Sequence, residues 1–240
     1  MEYRIENGLE NLKVNFISLY LNLDLFRQLG EIINSNDNLK NKDQTLLNWI
    51  KQASTVDLVV GMYRLVCDKS PKANSLYRFL KELKSNERNK IYLTRERYVS
   101  LYKTPKAIVN LGKEELTEDE KRTIARDIAL RMAKRDFDEL AGVGQESFQV
   151  DRIEKDMKKI SEKEPFKKIR TFRDQYVAHN DYNKVSVQIT YSELYRAFEV
   201  AEEIFKKYYK LITASSILDL TPTIQGNWKE VLTIPWIGKK

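Results

Sequence analysis

One cysteine and one histidine in 240 residues leave almost no soft-ligand chemistry. Structural zinc takes three or four nitrogen and sulfur ligands, more than one copy of this chain can supply, so a structural zinc within one chain is excluded; no other metal or cofactor is expected either. A disulfide framework is excluded by the same count. Glycine (8) and proline (5) are scarce, which removes collagen-like and low-complexity polymers. The longest uncharged stretch near the start, Val14 to Leu23, is ten residues and contains Asn15 and Asn22; a bilayer span needs about 20 apolar residues. Glu2, Arg4, Glu6, Glu10 and Lys13 interrupt any signal-like run behind Met1, so a cytoplasmic chain with no membrane partner is expected. No phosphate-cradling glycine pattern exists, because Gly142 and Gly144 are followed by neither a third glycine nor Gly-Lys-Ser/Thr.

Charge is plentiful. Lys and Arg outnumber Asp and Glu by 42 to 35, a net +7, which favours a polyanionic partner such as RNA, DNA or an acidic membrane face without choosing among them. The excess is clustered. Residues 151–173 carry nine basic and five acidic side chains, and 78–106 carry nine against three. These +4 and +6 segments suit a phosphate backbone, and equally suit solvated helix faces. Tyr98 and Tyr102 in the second segment suit base stacking or burial.

The apolar pattern has helical period nearly throughout. Leu9, Leu12, Phe16, Leu19, Leu23, Phe26, Gly30 and Ile33 form one stripe, and the Asn- and Ser-rich stretch from Asn34 to Asp43 ends it. Trp49, Ala53, Val56, Val60, Tyr63 and Cys67 predict a second helix packed as an antiparallel hairpin on the first. On that stripe Cys67 reads as a buried small hydrophobe or as a nucleophile. A short helix through Leu76, Phe79, Leu80 and Leu83 follows Pro71, and Thr94 to Tyr102 predicts another, stopped before Pro105. Thr117 with Glu120 and Thr190 with Glu193 are capping boxes opening two long helices. Between them, Val150 to Ile160 predicts a helix, and Pro165 opens a fresh one through Ile169, Phe172 and Tyr176. Asp136 and Asp138 point to different faces and are expected to be solvated.

Only Val185 to Ile189 alternates like a strand. An all-α antiparallel helical bundle is therefore expected over 1–215, with an insertion at 86–116 and an irregular arm over 216–240 whose Trp228 and Trp236 need a surface to cover.

Any imidazole chemistry must use His179, whose ordinary pKa of about 6.5 suits proton transfer near neutrality. Uniqueness does not make it a catalyst; its neighbourhood decides. Arg173 precedes it by six positions in Arg-Asp-Gln-Tyr-Val-Ala-His. In an unbroken helix six residues separate two side chains by about 9 Å along the axis, so the helix must end near Ala178 or a second subunit must complete the site.

This segment, Arg173, polar Asp174, four further residues and His179, resembles the signature of the HEPN superfamily of helical nucleotide-binding domains. With the polar turn behind it and the capped helix from Thr190, the chain is similar to the abortive-infection U-type branch. Arg64 to Asp68, followed by Ser75 to Leu83, also resembles that branch. The resemblance implies a HEPN-type bundle and metal-independent RNA cleavage by a homodimer whose motifs face one another across the interface. His179 would move a proton, Arg173 would bind the phosphate, and Asp174 would orient one of them or form a plain ion pair. Lys167, Lys168, Arg170, Asn180 and Tyr182 flank the motif and are the expected RNA contacts. Some HEPN toxins carry a modifiable Tyr two positions after the His, whereas Tyr182 is three positions on, a departure from that regulation. A ribonuclease toxin or phage-defence effector is the implied role; the alternative is a noncatalytic helical module that binds nucleic acid or a partner, and a third reading is a toxin held silent by a cognate antitoxin protein in a toxin–antitoxin arrangement.

Overall fold

The computed structural model describes residues 4–35, 45–103, 117–175, 188–224 and 228–232. The architecture is all-α, and the only β pairing among the described residues is an isolated bridge between Thr94 and Ser147. Helix α1 (Ile5–Ser35) is followed by α2 (Thr45–Met62), which runs on into a π-helical turn, Tyr63–Cys67. Then come α3 (Leu76–Ser85), a 3-10 segment (Glu87–Leu93) and α4 (Arg95–Leu101). Helices α5 (Glu118–Ala141), α6 (Val150–Glu162), α7 (Glu164–Arg173) and α8 (Tyr191–Thr213) follow, and a 3-10 turn, Trp228–Leu232, lies in the C-terminal arm.

Local chemistry sets most boundaries. Both capping boxes form: the Thr117 hydroxyl accepts from the Glu120 backbone N–H while the Glu120 carboxylate accepts from that of Thr117, and Thr190 with Glu193 repeats the exchange. Ser75 and Thr94 cap α3 and α4 in the simpler way, each accepting one first-turn N–H. After α5, Gly142 and Gly144 adopt φ of 105° and 73°, a region that side chains disfavour. The chain thereby reverses, and Ser147 reaches Thr94.

The core is built on α1 and α8. Leu9, Leu12, Phe16, Leu19 and Leu23 on α1 are buried as their spacing predicts. Phe16 stacks on Phe205 at 4.5 Å between centroids, and Tyr20 meets Phe198 edge-on at 5.3 Å. Fully burying one such aromatic is worth roughly 1.5–3 kcal/mol. Leu76, Phe79, Leu80 and Leu83 of α3 are buried, and α3 packs on both α1 and α6, whose Ile153 and Ile160 are buried. Within 86–116, Leu93 and Tyr98 belong to the same core, and Arg95 ties the segment to α5 through Asp138 and the Gln145 carbonyl. Residues 104–116 lie outside the described residues.

Two expectations are corrected. The second helix buries mainly a different face, Leu58, Val59, Met62, Leu65 and Val66; of the expected stripe Cys67 is buried and Val56 and Tyr63 pack half-buried against the core, whereas Ala53 is exposed and Trp49 is 65% exposed. This segment is apolar on two sides, and packing on α1 selects the other one. Asp136 and Asp138 are structural ties. Asp136 accepts from the Tyr102 hydroxyl at 3.5 Å and pairs with Lys210 at 3.5 Å. Asp138 pairs with Arg95 and accepts the Gly144 backbone N–H, and the Arg95 hydrogen bond holds its carboxyl below the usual range.

The arm returns to α1, where Trp228 lines the groove between Leu25, Phe26 and Leu29 of α1 and Ala53 and Leu58 of α2. Trp236 and most of Val185–Ile189 lie outside the described residues. No described helix is long and apolar enough to cross a membrane.

Candidate active site around Arg173

Helix α7 starts because Pro165 sits in its first turn, where a missing N–H costs nothing and the fixed φ is already helical. Phe166, Ile169 and Phe172 bury its inner face. Steps of three and four from Phe166 lead through Ile169 to Arg173, so the guanidinium occupies a position that the apolar stripe would give to another hydrophobe. It is thereby carried against the π-helical turn of α2, where α7 packs.

There the Arg173 guanidinium lies over the Tyr63 ring, 3.8 Å from its centroid. Its Nε is buried and has no hydrogen-bond partner among the described residues, and the same holds for the buried Oε1 of Gln175. The terminal nitrogen Nη2 is 3.1 Å from Asp174 Oδ1, a carboxylate that is itself 55% exposed. The charge is thus fixed in place by an aromatic face and only peripherally neutralised. A buried donor without a partner costs about 1–3 kcal/mol, and such a donor set suits an incoming oxyanion. Burial raises the Tyr63 phenol above its usual range, while the Arg173 charge pulls it the other way.

The other cations near the motif have structural engagements. Arg170 donates to the Ile160 and Ser161 carbonyls, closing the C-terminal end of α6. Lys168 pairs with Glu193 across to the first turn of α8. Lys167 is exposed and pairs with Glu164 at 3.5 Å. Cys67 is buried to 1% exposure, and its burial pushes the thiol up to about 12, so the small-hydrophobe reading holds. His179, Asn180 and Tyr182 lie outside the described residues, so Arg173 and Asp174 are the motif residues whose placement is seen. The described residues hold no cluster of three or more His, Cys, Asp and Glu arranged for a metal.

Lys168 and the Thr190 N–H bring the Glu193 carboxyl down to about 2 from 4.5. A carboxyl depressed on folding stabilises the fold above its unfolded pKa, and that contribution disappears as pH falls through the folded one. The window is therefore pH 4.5 down to about 2. Thermal melts of the Glu193→Gln protein should show a shallower loss of stability across this window than the parent, with the two converging at its acid end.

Tyr63 is the residue of this candidate site that the sequence did not flag. Its signal is weak: an aromatic beside Arg64 at the end of a helix with two apolar faces.

The all-α bundle and the Arg-x5-His segment that begins at Arg173 fit the HEPN-type domain that the sequence resembles. The chain belongs to the AbiU2 family of that superfamily, whose family model matches residues 19–231. No curated protein and no solved structure matches.

Proposed function

We propose that this protein is a metal-independent endoribonuclease of abortive-infection or toxin type, acting as a homodimer in which two Arg173/His179 motifs form one cleft. The observation that carries the reading is the Arg173 guanidinium, held over Tyr63 with a buried Nε–H that has no partner among the described residues. Family membership supports it. In the proposed step His179 accepts the proton of a ribose 2'-hydroxyl and the 2'-oxygen attacks the adjacent phosphorus. The bond to the 5'-oxygen breaks, the departing oxygen takes up a proton, and a 2',3'-cyclic phosphate remains. Arg173 offers paired donors to the phosphoryl oxygens as negative charge builds. Asp174 holds Arg173 at its exposed edge.

The test is purified protein with single-stranded RNA in EDTA. Cleavage by the parent and its loss in His179→Ala are expected. Binding of RNA without products would establish the noncatalytic module instead. In cells, expression without an antitoxin should arrest growth, again only with His179 intact.

A further inference from the structure

The groove between α1 and α2 is walled by polar residues where two packed helices should meet through apolar ones. Asn15, Ser18 and Asn22 lie on one face of α1, and Asp57, Arg64 and Asp68 lie opposite along α2, its π-helical turn and the residue after it. Both sets have helical spacing, so the polarity is a continuous stripe on each wall. The floor is tight: a Cβ on Gly61 would stand 2.6 Å from Leu19 Cδ1. Close approach at the floor with short polar side chains above it leaves an open volume of about 480 Å³, within the range of small-molecule sites.

The donors and acceptors are unevenly committed. Asn22 Nδ2 donates to Asp57 Oδ2 at 3.1 Å, orienting that carboxylate and leaving it further acceptor capacity. Asp68 accepts the Ser70 backbone N–H at 2.9 Å, and its own N–H donates to the Tyr63 carbonyl at 3.0 Å. Arg64 is exposed and makes no ion pair among the described residues. Two carboxylates against one guanidinium disfavour a phosphate inside the groove and favour a neutral edge rich in donors. Among the RNA bases, guanine alone presents two adjacent donors, N1–H and the N2 amino group, to match a carboxylate, and its O6 needs a donor of the amide or hydroxyl type. Asp57 fits the first demand, and Ser18 and Asn22 fit the second. The groove lies close to the Arg173 platform, since Asp68 on its wall donates its backbone N–H to the Tyr63 carbonyl.

We propose that this groove is a base-specificity subsite that takes a guanine of the RNA substrate, with Asp57 reading its Watson–Crick edge and Arg64 contacting the strand at the mouth. The assignment rests on the ribonuclease reading, and its test separates the two. Binding of 5'-GMP, AMP, CMP and UMP to the full chain is measured by ligand-observed NMR, without cleavage as the readout. GMP should bind at least about tenfold more tightly than the others, a bidentate contact being able to discriminate by that much or more. Asp57→Asn, at an exposed position, should erase the preference and Arg64→Ala should weaken GMP binding, while Arg173→Ala retains the preference. Equal binding of all four nucleotides, binding of none, or a preference that survives Asp57→Asn overturns the subsite. RNA cleavage indifferent to replacing guanosine by inosine, which lacks the N2 amino group, overturns it while leaving the ribonuclease standing. GMP selectivity without RNA cleavage would do the reverse.

Discussion

Arg173→Ala should lower the rate of RNA cleavage about 10²–10³-fold, the usual effect of removing one donor set from a site of developing negative charge, while barely moving the melting temperature. The two halves of this expectation come from the same geometry. Truncation removes a cation–π contact with Tyr63, worth about 0.5–2 kcal/mol. It also removes a buried, unpartnered Nε–H, whose burial opposes folding by a comparable amount. The stability terms offset, and the catalytic one does not. Arg173→Lys should recover little, because an ammonium has neither the planar fork nor the stacking surface. Single-turnover cleavage alongside urea unfolding of the same proteins reads both quantities. A large stability loss with unchanged cleavage would make Arg173 a structural residue.

The largest stability effect is expected at Asp156. Its side chain is 3% exposed and accepts from the Tyr208 hydroxyl at 2.9 Å and from Lys207, with Lys159 Nζ 3.2 Å away. Burial and the Asp156 charge both raise the Tyr208 phenol, which therefore remains a hydrogen-bond donor at every working pH. Asp156→Ala leaves a buried hydroxyl and an ammonium facing an apolar gap between α6 and α8. Breaking a buried pair from one side costs about 3–5 kcal/mol. Asp156→Asn keeps an acceptor for Tyr208 and should cost less. Urea denaturation midpoints measure the difference; a loss under about 1 kcal/mol for the alanine variant would show that the cluster relaxes into water.

What the sequence made legible is what is local in it. The α1 stripe from Leu9 to Leu23, both capping boxes and the fresh start at Pro165 depend on residues within a few turns of one another, and each appears as read, whereas Phe26 and Gly30 further along α1 are only half-buried. The face of α2 was misread because Trp49, Val56 and Val60 are as periodic as Leu58, Val59 and Met62, and periodicity does not say which stripe finds a partner. Asp136 and Asp138 looked solvated because Lys210 and Arg95, which hold them, are remote in sequence. The same distance hid Tyr63 beneath Arg173. A local signal for that inward arginine did exist: Phe166, Ile169 and Arg173 follow one helical stripe, so a charge at its end had to be buried or used.

The chemistry itself is the most direct target. In EDTA, a single-stranded RNA should yield fragments ending in 2',3'-cyclic phosphate, and the same strand methylated at every 2'-oxygen should remain intact, since the attacking group is blocked. Cleavage of the methylated strand, or a 3'-hydroxyl at the newly made 3' end, would contradict 2'-hydroxyl attack and with it the role assigned to Arg173 and His179.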